Sequence, residues 1–274
     1  MTQSRISRIS IPLLYLLTGA LCILIVQMPY WGAPSDQLFA WLKAWQLGIV
    51  GILAGGLIFS VFKRKTSRVW WEALLNVVIP LGLWYALLLL NLPFGGSIIL
   101  ASLLTLVYLL MRNVFVHNIF YVLGSVGVAL NFTFLFPVQV LIAGLVAFGL
   151  YDIVTGRSAE VIDKLAKKLS PFGFVPGLII PISIKDLWTE VDSAHRSHAL
   201  ILGLTEIVLP ITLIARSAFW GSWQPWVVLA GVLTGSLVLL FKRSGLYGSA
   251  LAPLSAGALT PFIILYIYHI SHIT

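Results

Sequence analysis

Apolar stretches of about 20 residues recur along this chain, parted by short polar links, and that repetition leaves few folds open. Inside hydrocarbon every backbone N–H and C=O must find a protein partner, so long apolar runs become helices. Nine such segments are read, at 10–28, 39–62, 69–91, 96–111, 117–135, 137–155, 198–218, 225–241 and 250–270. The fourth and eighth are short, and a tight turn at Phe136-Pro137 separates the fifth from the sixth. Only 9% of the 274 residues are charged, whereas a soluble domain carries about 25%. The expectation is an all-α polytopic membrane protein of nine transmembrane helices. A single membrane domain, 1–274, divides into spans one to six (1–155), an inner loop (156–197) and spans seven to nine (198–274).

The basic residues orient this count. With the N-terminus inside, the links holding Arg5 and Arg8, Lys63 to Arg68, Arg112, Lys164 to Lys168, and Lys242 with Arg243 all face the cytoplasm. Of 17 Lys and Arg, only Lys43 and Arg216 fall outside, as the positive-inside rule requires of an odd number of spans. The C-terminus is then outside. The net charge of +8 is thereby a topology signal, and no nucleic-acid partner is expected. Arg5 and Arg8 precede an apolar run that ends in Gln27-Met28-Pro29 with no small-residue cleavage site, which reads as an uncleaved first span. Cys22 is the single cysteine, so a disulfide within the chain is excluded.

The long polar insertion opens with Ser158 to Leu169. There Val161, Ile162, Leu165 and Leu169 share one helical face and lysines fill the other, an amphipathic surface helix capped by Ser158. Pro171 and Gly173 end it. Residues 174–184 are apolar, β-branched and interrupted by prolines, which predicts an extended segment. Such a segment has backbone groups to pair, with another strand of the chain or with a substrate strand; a plain loop packed on the bundle is the other reading.

Two acids stand inside apolar segments: Asp152 near the inner end of span six, and Glu206 within span seven. A charge at the membrane centre costs roughly 2.5–3.5 kcal/mol on insertion scales. It is kept where it meets a partner, a cavity or a reaction. Both acids fall in the inner half of the bilayer, so a meeting is allowed. Two carboxyls in a poorly solvated site cannot both ionise comfortably, and a pair sharing one proton can activate water. The bland alternative is that each acid satisfies a neighbouring helix or a basic side chain. Tyr151 can shape the site or serve as an interfacial aromatic, and Gly203 can let a neighbouring helix approach. Residues 248–259 open span nine with small side chains around Pro253, which is expected to interrupt regular helix.

Tyr151-Asp152 at the end of span six, Gly203-Leu204-Thr205-Glu206 in span seven and Ser249-Ala250-Leu251 at span nine resemble the presenilin and signal peptide peptidase family of intramembrane aspartyl proteases. The resemblance covers the nine-span layout and the long inner loop, and the short loops look most like prokaryotic presenilin-like members in a plasma membrane. It implies that Asp152 and Glu206 are the catalytic pair. It further implies that Ser249, Ala250, Leu251 and Pro253 shape the cleft, and that substrates are membrane-spanning peptides in the lipid bilayer. Three positions depart from the family pattern: Thr205 replaces a glycine, Glu206 an aspartate and Ser249 a proline. The extra methylene moves the carboxyl by about a bond length, and a misplacement of ~1 Å can cost about 10²-fold in rate.

No cofactor and no metal are expected. His117, His195, His198, His269 and His272 are scattered. His195 and His198, near Glu190 and Asp192, read as a solvated inner-face cluster. Glu72 and Arg68 are spaced as an i,i+4 ion pair. Two other activities fit the acids: a catalytically silent relative that binds membrane segments, and a proton-coupled transporter with spans broken at Pro80 and Pro210.

Overall fold

The computed structural model describes residues 5–27, 80–88, 90, 94–111, 113–155, 175, 177–180, 183–191, 200–241 and 251–272. The second span, the amphipathic stretch 158–169, Ser249, Ala250, His195, His198, and the Glu72–Arg68 pair lie outside these residues.

The described chain is mostly helical. It comprises α1 (Arg5–Gln27), α2 (80–88), α3 (Phe94–Leu110), α4 (Val114–Leu135) and α5 (Val138–Thr155). After the inner loop come β1 (Gly177–Ile180), a 3-10 turn (Ile184–Trp188), β2 (Leu200–Gly203), α6 (Leu204–Ser217), α7 (Gln224–Phe241) and α8 (Leu251–Ser271). Asn113 caps α4 by accepting from the Val116 N–H, and α5 starts just past the turn at Phe136-Pro137.

The central helix is α6, buried from Glu206 to Ala215 except at Leu209, and packed against α1, α4, α5, α7 and α8. A helix apolar on all sides belongs in the middle of a bundle. The outer helices present large apolar side chains instead. Leu17, Ile99 and Ile264 are 60%, 62% and 62% exposed, which suits lipid tails and not water. Three described stretches are long and apolar enough to cross a membrane: Ser10–Gln27, Val114–Leu135 and Leu251–Ser271. This is an integral membrane protein. Three buried threonine hydroxyls are satisfied locally, as Thr18, Thr133 and Thr212 each donate to the carbonyl four residues earlier.

Four expectations are corrected. The described chain is not purely helical, because β1 and β2 form an antiparallel pair in the register Gly177↔Gly203 to Ile180↔Leu200. The seventh segment is therefore extended up to Gly203 and helical only from Leu204. Pro253 interrupts nothing: it lies in the first turn of α8, where backbone N–H groups have no helical partner to lose. Pro210 lies inside α6 without ending it, so the break invoked there for a transporter does not appear; Pro80 is the first described residue of α2.

Candidate active site

Glu206 occupies the first turn of α6 and is only 4% exposed. Its Oε2 accepts the Gly203 N–H at 2.8 Å. The carboxylate thus folds back over the helix N-terminus, where exposed N–H groups favour negative charge. Gly203 is the last residue of β2, so its role is to receive this cap and end the strand. Thr205 is exposed, and Leu204 packs on the core.

The strand pair beneath Glu206 is held from behind by α4. The Asn118 amide accepts the Ile179 N–H at 3.0 Å and donates to the Ile179 carbonyl at 2.7 Å. His117 lies 2.9 Å from the Gly177 carbonyl through Nε2 and 3.3 Å from the Tyr108 hydroxyl through Nδ1. Both edges of β1 are thus engaged by the chain itself: one by β2, the other by α4. Gly177 permits the close approach, since a Cβ there would meet the Leu202 carbonyl.

Asp152 lies in the last turn of α5, and α5 packs against both α6 and α8. Gly149, one turn before Asp152, faces Ser255 of α8: a Cβ on it would stand 3.5 Å from the Ser255 Cβ. The helices bearing the three motifs therefore converge. Leu251 is buried and Pro253 half-buried at the start of α8. Asp152 and Tyr151 are placed by their backbone on α5. Ser255 is buried, and its hydroxyl has no hydrogen-bond partner among the described residues. Among those residues no group of three metal-ligating side chains occurs.

Two solved structures, each of a presenilin family intramembrane aspartate protease, share this fold. The first, in a C222 crystal form, superposes with a TM-score of 0.59 at 22% identity, over 95% of this chain and 99% of that one. The second, in a P2 form, gives 0.57 at 24% identity, over 94% and 97%. This chain has the presenilin fold. No protein-family model matches the sequence, and neither does any curated protein. At these identities the likeness is one of fold.

Sequence reasoning passed over Tyr15 and Asn118, and gave His117 and Ser255 no part of their own in the candidate site. Tyr15 donates from α1 to the Glu206 backbone carbonyl at 3.0 Å. A usable signal existed for Tyr15. Tyr15 is a polar group in the apolar first span, and Pro210 follows Glu206 by four residues.

Proposed function

We propose that this chain is an intramembrane aspartyl-type protease of nine spans, N-terminus inside and C-terminus outside, that cleaves membrane-spanning peptides with Asp152 and Glu206. The observation that carries the reading is the Glu206 carboxyl. It is buried at the N-terminus of the central helix of a presenilin fold, and that helix packs on the one bearing Asp152.

In this reading one carboxylate takes a proton from water while the water oxygen attacks the scissile carbonyl carbon. The other carboxyl donates its proton to the carbonyl oxygen, giving a tetrahedral diol. The diol collapses as the C–N bond breaks and the nitrogen takes a proton, leaving a carboxyl end and an amine end. The fold-back of Glu206 onto Gly203 takes up the extra methylene that distinguishes it from aspartate. This reading assigns the lining of the cleft to Leu204, Thr205, Leu251 and Pro253, and by the resemblance in sequence to Tyr151, Ser249 and Ala250 as well.

Substrate pairing fits β2 better than residues 174–184. The Ile179 N–H and C=O both point to Asn118, so Ile179↔Ile201 is a non-hydrogen-bonded pair. The backbone groups of Ile201 then point away from β1, on the edge next to Glu206. An extended substrate strand added there lies beside the carboxyl.

The test is cleavage of a membrane-spanning reporter by the purified chain. Asp152→Asn and Glu206→Gln are each expected to reduce kcat by about 10³-fold or more, while Gln still offers a carbonyl oxygen to Gly203 and preserves the fold. Undiminished cleavage by Glu206→Gln would sink the reading. Cleavage by Glu206→Asp but not by the parent would identify a silent relative instead.

A further inference from the structure

In an α-helix the carbonyl of residue i accepts the N–H of residue i+4. Pro210 has no N–H, and its ring crowds the carbonyl four residues before it. That carbonyl belongs to Glu206. It lies in the bundle's centre, where water does not replace a lost hydrogen bond. The Tyr15 hydroxyl donates to this oxygen at 3.0 Å, from a residue 191 positions away in sequence. Tyr15 is fully buried. One turn later on α1, a Cβ on Gly19 would stand 3.4 Å from Ile214 of α6, so the two helices are in close contact beside the bond.

We propose that Tyr15 is a positioning residue. Its hydroxyl supplies the donor that Pro210 lacks and ties the first turn of α6 to the first span. Two of the contacts that hold residue 206 are then this one, on its carbonyl, and the Gly203 N–H on its carboxylate at 2.8 Å. The contact stands on geometry alone; its catalytic consequence rests on the reading of Glu206 as a reacting acid. The competing account is that a buried tyrosine merely needs some acceptor. The two differ in what Pro210 has to do with it.

The experiment is a double-mutant cycle on the full chain in detergent: parent, Tyr15→Phe, Pro210→Ala, and both together. Alanine restores an N–H at position 210, so the hydroxyl becomes dispensable. Tyr15→Phe is expected to lower the unfolding midpoint by roughly 3–8 °C in the parent and by less than about half of that beside Pro210→Ala. Equal losses in the two backgrounds overturn the proposal. A second readout follows the Glu206 carboxyl without using activity. The rate of its modification by dicyclohexylcarbodiimide, read by mass spectrometry, changes severalfold in Tyr15→Phe and returns toward the parent value in the double variant. An unchanged rate in Tyr15→Phe also overturns it. For reporter cleavage, kcat falls about tenfold with KM held within about twofold, and Pro210→Ala restores it. A parent that cleaves nothing defeats the protease reading, while unfolding and labelling still decide the role of Tyr15.

Discussion

An amide side chain can act as one residue of a β-strand, donating and accepting at once, and Asn118 does so at Ile179. Its consequence reaches Glu206 through two steps, from β1 to β2 and from Gly203 to the carboxylate. Asn118→Leu keeps much of the volume but leaves a buried N–H and C=O unpaired. The expected cost is about 2 kcal/mol, read as a lower unfolding midpoint in detergent. Asn118→Asp keeps the acceptor for the Ile179 N–H and loses the donor. An unchanged midpoint in Asn118→Leu would mean that β2 alone holds β1. Glu206 itself combines two constraints that are usually separate. It is the acid that the proposed chemistry needs, and it is also the cap that starts its own helix.

Helix α6 has 14 residues, about 21 Å at 1.5 Å per residue, against about 30 Å of hydrocarbon. Directly before it comes β2, whose one edge is paired with β1; non-helical backbone next to apolar helices is tolerated where protein groups pair it. Helices α7 and α8 set the third side through close glycine contacts. A Cβ on Gly257 would meet the Gly231 carbonyl, and one on Gly235 would meet the Pro253 carbonyl. Gly257→Val is expected to force α8 off α7 and destabilise by about 1–3 kcal/mol, with Leu251 and Pro253 displaced alongside. Gly144→Ala, which meets nothing within 4 Å, is the control expected to leave the unfolding midpoint unchanged. Equal effects of the two substitutions would remove the packing argument.

The orientation proposed for the bundle rests on its basic links, and the single cysteine makes it easy to test. Cys22 is buried, so introduced thiols report alone. In intact cells Ser271→Cys is expected to react with a membrane-impermeant maleimide, and Ser4→Cys only after permeabilisation. Labelling of both in intact cells would overturn the inside N-terminus.

Membrane character, the placement of α1, α4, α5, α7 and α8 within a few residues, and the two candidate acids were all legible in the sequence. They depend on local properties: the apolar length of a segment, the turn at Phe136-Pro137, and the transfer cost of a carboxyl. The extended character of Gly177–Ile180 was legible for the same reason, through its β-branched side chains and prolines. Its partner was not, because pairing with Leu200–Gly203 closes a long loop and leaves no periodic trace. Nor was the bond from Tyr15 to Glu206, which joins the first span to the seventh. A sequence records that Pro210 removes a donor, but which side chain replaces it is decided by how distant helices pack. The same holds for Gly149 against Ser255, a contact that exists only once α5 and α8 lie side by side.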